Sequence, residues 1–257
     1  VADSSADVIH WTVREIAGYV AAVSTEIAAL ESLAAEIEVV WGANSVGAEP
    51  MPPVVVARAD NEWCVHVAPN LPGNVGREVR AVAASLSGEF AESLLDSFSP
   101  VLAPVAGPLR RQATVSFDCS LPATVSPPVG VRVITDVDAD TYRLQIASDW
   151  GTQSDWERML ANTFPWAAAT DGDQVLAICE TARWSPHGAE AGVWTLPDAR
   201  GRGLAAAVVG AWADHCAERV PRLYYSTAVD NVSSQRVAQR LGLPPIGELW
   251  FLTPDCD

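Results

Sequence analysis

Apolar residues recur at three- and four-residue steps from Val13 to Val40: Val13, Ile16, Ala17, Val20, Val23, Ile27, Leu30, Ala34 and Ile37. Glu15, Glu26, Glu31, Glu36 and Glu38 take other positions. This period predicts an amphipathic helix, either one long one or two joined near Ser24. The loop 41–53, rich in Gly, Asn and Pro, is followed by two short apolar runs, Val54–Ala57 and Glu62–Val67. With Asp60-Asn61 between them they read as a hairpin. Asn74 is placed to cap a helix reaching Phe90, and a second helix is expected over 91–98. Ser99 to Pro108 reads as a break in regular structure, and the alternation of Val115, Phe117 and Cys119 predicts a strand over 112–119. His66, inside an apolar strand, reads as a satisfied core or edge residue.

Leu121 to Gly130 carries Pro122, Pro127, Pro128 and Gly130, the composition of a semi-rigid spacer. A domain boundary is expected there, dividing the chain into 1–122 and 129–257. Beyond it, Val131–Ile134 predicts a strand, with helical stretches near 140–148 and 153–163. Trp166–Ala169 and Gln174–Thr181 flank Asp171-Gly172-Asp173, the strongest short hairpin signal in the chain. Glu190–Leu196 is the next strand, then a helix over 204–219, a strand over 223–229 and a short helix after Asn231. The N-terminal hairpin and helix echo half of this arrangement, which leaves a degenerate duplicated module open.

The chemistry concentrates between the strand ending at Leu196 and the helix beginning at Leu204. Arg200, Gly201, Arg202 and Gly203 form a turn whose glycines allow the backbone to bend sharply and approach a ligand. The helix that follows starts with unpaired N–H groups and a positive dipole end, an anion site by construction. A P-loop is excluded because the chain contains no lysine, and the glycine spacing does not meet a dinucleotide fingerprint.

Three features together resemble the coenzyme-binding core of the Gcn5-related N-acetyltransferase (GNAT) superfamily over about 129–257. They are Arg200, Gly203 and Ala205 in Arg-x-x-Gly-x-Ala, the strand running into Asn231 with Ser234 three residues on, and a short helix closed by Leu241-Gly242. The resemblance implies an α/β (α+β mixed-sheet) chain: a C-terminal acyl-CoA N-acyltransferase fold behind a smaller α/β N-terminal domain of unknown role. It implies acetyl-CoA as co-substrate, with no metal. Main-chain amides from Arg200 through Gly201, Arg202, Gly203 and Leu204 to Ala205 would face its pyrophosphate. Arg200 and Arg202 would add charge-assisted bonds, a solvated surface charge being the alternative for each. The pantetheine arm would lie against Val193, Trp194, Thr195 and Leu196, where that strand splays from Tyr224–Ala228. Asn231 would hold the arm, cap the next helix, or do both. An acceptor amine would attack the thioester directly, so no Cys nucleophile is needed. Glu190 is the expected base, with Glu180 as the fallback. The usual Tyr four residues beyond Ser234 is replaced by Ala238. Ser234, Tyr225 or water would then serve the departing thiolate. Trp166, Trp184 and Trp194 are expected mostly in core packing.

Composition narrows the partners. The formal net charge of the 257 residues is −16, which disfavours non-specific nucleic-acid binding and tilts the acceptor toward a cation such as an amino-sugar compound. All sixteen basic residues are Arg, in keeping with a GC-rich genome. The five Cys, without C-x-x-C spacing, read as reduced thiols, and no apolar run reaches membrane-spanning length. The expectation is a cytoplasmic enzyme acting on a small-molecule amine, with no membrane or nucleic-acid partner and a homodimer left open. Two alternatives stand beside it: an acetyltransferase of peptide or protein amines, and a non-catalytic acyl-CoA sensor.

Overall fold

The computed structural model describes residues 29–48, 50–141, 144–147, 150–154, 156–157 and 165–255. Among them, nine strands form one mixed sheet: β1 (Val54–Ala59), β2 (Glu62–Val67), β3 (Leu109–Asp118), β4 (Arg132–Thr135), β5 (Trp166–Asp171), β6 (Gln174–Ser185), β7 (Gly188–Thr195), β8 (Leu223–Ala228) and β9 (Pro245–Pro254). Their spatial order is β2-β1-β9-β3-β8-β7-β6-β5-β4. Every neighbouring pair is antiparallel except β7 and β8, which are parallel. The helices are α1 (Ala29–Trp41), α2 (Gly73–Ser85), α3 (Ser99–Ala106), α4 (Leu204–Cys216) and α5 (Val232–Leu241).

Two hairpins form where the sequence places them. Asp60-Asn61 joins β1 to β2, Asp60 taking φ 51°. Gly172-Asp173 joins β5 to β6, Gly172 taking φ 58°. Positive φ at the turn is what a two-residue connection between twisted strands requires. His66 lies on β2 at the end of the sheet, its Nε2 3.3 Å from Cys64 Sγ.

The helices between 73 and 106 depart from expectation. α2 begins at Gly73 behind Pro72 without a side-chain cap, so Asn74 lies inside it. It ends at Ser85, where Leu86 turns extended, and Gly88 then takes φ 95°. Glu92–Phe98 is a 3-10 helix. Ser99–Ala106, expected to be irregular, is helical. Pro100 sits in the first turn, where its missing N–H costs nothing, although Pro104 lies inside the helix. Buried Leu102 of α3 packs with Leu95, Phe98, Val54 and Leu252, and this burial outweighs the interior proline. Gln145, expected in a helix, instead bridges Gln174 in parallel. The helices expected over 13–28 and 158–163 lie outside the described residues.

The Pro-rich stretch carries no regular structure, but the sheet is not divided by it. β3, which precedes the stretch, fills the slot between β8 and β9, which follow it: Thr114–Asp118 pair with Tyr224–Ala228 on one edge, and Leu109–Phe117 pair with Pro245–Pro254 on the other. α4 and α5 cover one face of the C-terminal strands, around Trp212, Val208, Leu204, Tyr225 and Leu241. α1 covers the other face, packing Leu33 and Ile37 on Val55, Ala57, Leu249 and Phe251. Among the described residues no helix is long and apolar enough to cross a membrane.

Candidate active site

β7 and β8 begin as parallel neighbours and then part. They pair at Ala189↔Leu223 and Glu190↔Tyr224, and among the described residues no strand pairs with β7 on that side beyond Glu190. β8 continues along β3 and β7 continues along β6, so each strand is held on its far edge while the near edges separate. Backbone N–H and C=O groups left without a strand partner seek one elsewhere. A cavity of about 600 Å³ occupies the opening. Val193, Trp194 and Thr195 form one wall; Tyr225, Asn231 and Ser234 stand across from them.

The floor of the cavity is the turn into α4. Leu196 N–H donates to Leu176 O at 2.8 Å, and a 3-10 turn over Pro197–Ala199 reverses the chain. Gly201 and Gly203 take φ 75° and 81°, a left-handed conformation that L side chains pay for. Gly203 is the N-cap of α4 and offers no side-chain acceptor, so the first N–H groups of the helix stay open toward the cavity. Arg200, Gly201, Gly203, Leu204 and Ala205 all line this end. Leu196 packs against the core beneath α4, and Arg202 is exposed outside the cavity, so neither contributes to its wall.

Two arginines that sequence reasoning passed over join the site. Arg236 and Arg240, one turn apart on α5, line the same cavity as Arg200. Arg240 lies so close to the turn that a Cβ on Gly203 would stand 2.4 Å from its Nη1. Arg200 Nε donates to Thr195 O at 3.3 Å. Three guanidinium groups around one helix N-terminus, on a chain of net charge −16, make a site for an anion carrying several charges. The i, i+4 spacing of Arg236 and Arg240 just past Asn231 was the available signal.

Asn231 caps α5: its Oδ1 accepts from Ser234 N–H at 3.1 Å. Tyr225 reaches over from β8 to place its hydroxyl 2.6 Å from Ser234 Oγ. Burial pushes the Tyr225 phenol up to about 12, the Ser234 contact opposing the shift. Ala238 of α5 is fully buried in the core and does not line the cavity. Tyr225 and Ser234 thus put a hydroxyl pair at the wall that Ala238 leaves without one.

Glu190 lies on the opposite face of the sheet, at the vertex of the split, and is 6% exposed. Its Oε2 pairs with Arg183 Nη1 at 2.9 Å, and its Oε1 accepts from Ser226 Oγ. Glu180 stands on the same face, opposite Gly192, whose missing side chain leaves room for the Glu180 stem 3.3 Å from a Cβ there. Burial raises the Glu180 carboxyl above its usual range. A third acid joins this face from the N-terminal half. Glu36 of α1, expected on the polar side of its helix, is fully buried between Leu33 and Val40 at helical spacing. Burial first, and the charge of Glu190 second, raise it to about 8. The thiols of Cys119 and Cys216 are raised by burial to about 12, and that of Cys179 well above its ordinary value, so none supplies a thiolate nucleophile. Trp166 is buried in the core, and Trp184 packs against the α4 cluster.

Residues 129–244 match the family model described as acetyltransferase (GNAT) domain. No curated protein matches the chain. Among solved structures, a GCN5-related N-acetyltransferase from Kribbella flavida is 17% identical over 91% of this chain and 98% of its own, with a TM-score of 0.45. A tandem GNAT protein from the clavulanic acid biosynthesis pathway is 15% identical over 93% of this chain and 92% of its own, with a TM-score of 0.46. A GCN5-related N-acetyltransferase-like protein from Streptococcus suis is 15% identical over 79% of this chain and 84% of its own, with a TM-score of 0.44.

Proposed function

Residues 129–244 being a GNAT acetyltransferase domain, we propose that the protein is an acetyl-CoA-dependent N-acetyltransferase whose acceptor is a primary amine of a small, cationic molecule. The observation that carries this reading is the split between β7 and β8, with its cavity ending on the open N-terminus of α4 among Arg200, Arg236 and Arg240. The residues fit the co-substrate: the arginines and the amides of α4 suit its phosphates, and the free edge of β7 suits the amide-bearing pantetheine arm. Bound there, acetyl-CoA supplies a thioester carbonyl that the amine attacks directly, with loss of a proton from nitrogen and departure of the coenzyme as thiol. Backbone N–H groups on the free edge of β7 are placed to polarise the carbonyl oxygen. Glu190 or Glu180, on the acceptor side, takes the proton. The Tyr225–Ser234 hydroxyl pair hydrogen-bonds the departing sulfur. The acidic face of Glu180 and Glu190 favours a cationic acceptor over a neutral one. A cytoplasmic setting accords with buried, reduced Cys119, Cys179 and Cys216.

One observation favours a second reading, a non-catalytic acyl-CoA sensor: Glu190 is closed off in its pair with Arg183. Titration calorimetry with acetyl-CoA, then release of free thiol over a panel of amino sugars, polyamines and peptides with mass detection, separates the two. Binding with turnover of a small cationic amine is expected. Binding without turnover of any amine would leave the sensor, peptide-only turnover would move the acceptor class, and no binding would end both readings.

A further inference from the structure

The acceptor-side face of the split holds a polar line that joins the two halves of the chain. Ser116 Oγ on β3 donates to Glu36 Oε1 at 2.9 Å. Ser116 and Ser226 are directly opposed partners of β3 and β8, so their side chains share a face with Cβ atoms roughly 5 Å apart. Ser226 in turn donates to Glu190 Oε1, and Glu190 Oε2 holds Arg183. Close by, Tyr224 OH donates to the Ser32 carbonyl at 3.1 Å, pinning α1 one turn before Glu36. Among the described residues, Glu36 Oε2 is buried with no hydrogen-bond partner.

We propose that Glu36 is a positioning residue for Glu190: α1 of the N-terminal half carries a buried carboxyl that fixes, through the Ser116 and Ser226 hydroxyls, how the Glu190 carboxylate is held at the vertex of the split. The proposal rests on the acetyltransferase reading for its catalytic consequence but not for the network itself. Each serine has one hydroxyl proton. Ser116 donates its own to Glu36 Oε1, and Ser226 donates its own to Glu190 Oε1. Without a carboxyl at position 36, the Ser116 hydroxyl is released beside Ser226 and the partners of Glu190 change.

Ionisation of Glu36 would place a second negative charge near Glu190, where Arg183 is the cation in contact. Among the described residues, the other groups facing Glu36 are few. β7 presents Glu190 and β8 presents Tyr224, whose own phenol is raised by burial first and by Glu36 among its charged neighbours. β6 contributes Arg183 behind Glu190. β1 and β9 present apolar Val55, Ala57, Leu249 and Phe251, and Arg58 pairs with Glu248 at 3.1 Å. On β2, burial lowers the His66 imidazole, with the charge of Glu38 opposing the shift. The hydrogen-bond arrangement described is that of neutral Glu36, and it changes as Glu36 ionises near pH 8.

The test uses the full chain and Glu36→Ala, Glu36→Gln and Ser116→Ala variants, with acetyl-CoA affinity, kcat and KM measured from about pH 6 to about pH 10. Glu36→Ala is expected to lose roughly tenfold or more in kcat with unchanged acetyl-CoA affinity, and Glu36→Gln to rescue most of that loss below neutrality. Above about pH 8 the parent and Glu36→Gln should diverge several-fold in kcat, because only the parent undergoes the ionisation. A Glu36→Gln to parent ratio constant across pH, with both folded, would overturn the proposal and leave a structural role only. Carboxyl carbon NMR on glutamate-labelled protein gives a readout independent of turnover. The Glu190 resonance should follow the Glu36 titration in the parent and lose that step in Glu36→Gln. If no amine turns over, the acetyltransferase reading fails while this arm still decides: a Glu190 resonance blind to the substitution overturns the network.

Discussion

Gly203→Ala tests how the turn and α5 cooperate at the cavity. Two separate effects follow from one added methyl. The first is backbone: φ 81° is a left-handed conformation that costs an L residue about 1–2 kcal/mol, so the folded state should lose about that much. The second is displacement: the new Cβ would stand 2.4 Å from Arg240 Nη1 and 2.6 Å from its Cζ. The guanidinium must retreat by roughly 1 Å or more to reach ordinary contact. Arg240 is exposed and flexible, so its retreat adds little to the stability loss. It removes a cation from beside the α4 N-terminus, however. A hydrogen bond to a charged group is worth about 1.5–3 kcal/mol, and exposure puts this one at the low end, so acetyl-CoA should bind about tenfold more weakly. The assay is titration calorimetry on Gly203→Ala, Arg240→Ala and the double variant, with urea unfolding of each. If displacement is the cause, Arg240→Ala alone loses a similar factor, and adding Gly203→Ala to it costs little more affinity while the stability losses simply add. Raising the salt should shrink the affinity loss but not the stability loss. Parent-like affinity in Gly203→Ala, or affinity losses that add in full, would refute the reasoning.

Three further outcomes follow from the structure. Glu36, raised from 4.5 to about 8 in the fold, keeps a proton that the unfolded chain releases near the ordinary glutamate value, so its contribution to stability is complete below about 4.5, falls as pH rises from there, and is gone above about 8. Urea unfolding should show the parent losing up to about 1.4 kcal/mol per pH unit relative to Glu36→Gln across that window, and parallel profiles would show that Glu36 is not neutral in the fold. Removing residues before Pro122 takes out β3 and exposes the edges of β8 and β9, so the fragment should fail to fold by circular dichroism; a soluble fragment that binds acetyl-CoA would contradict the strand order. Tyr225→Phe removes the 2.6 Å contact with Ser234 and should cost about 1 kcal/mol of stability. It should also lower kcat without moving the KM for acetyl-CoA, and Ser234→Ala added to it should cost little more, whereas independent losses would separate the two hydroxyls.

What could be read from the chain and what could not divide along sequence distance. The turn 200–205, the Asn231 cap and the two hairpins are local: each depends on a residue at positive φ, glycine or Asp60, or on a short polar side chain reaching nearby backbone. Periodicity also gave β3 its alternation, with Val115 and Phe117 on one face and Ser116 on the other. Alternation tells a strand which way its side chains point but not which edges it meets. Nothing within Gln112–Cys119 could announce that it enters between two strands from the far end of the chain. The break expected over Ser99–Pro108 failed for the same reason: local proline chemistry argued against a helix, and burial of Leu102 against β1 and β9 decided otherwise. Glu36 is the sharpest case. Its place three residues after Leu33 and four before Val40 put it on the buried stripe, yet a glutamate there looks like a surface residue until something across the fold receives it. Ser116, buried on a strand from another part of the chain, is that receiver, and Glu190 lies beyond it. Polar residues at apolar phase are therefore informative in pairs. A buried acid on a helix demands a donor somewhere, and a buried serine at the phase of one face of a strand is a donor without a local use. Matching such orphans between distant elements is what links the N-terminal helix to the split.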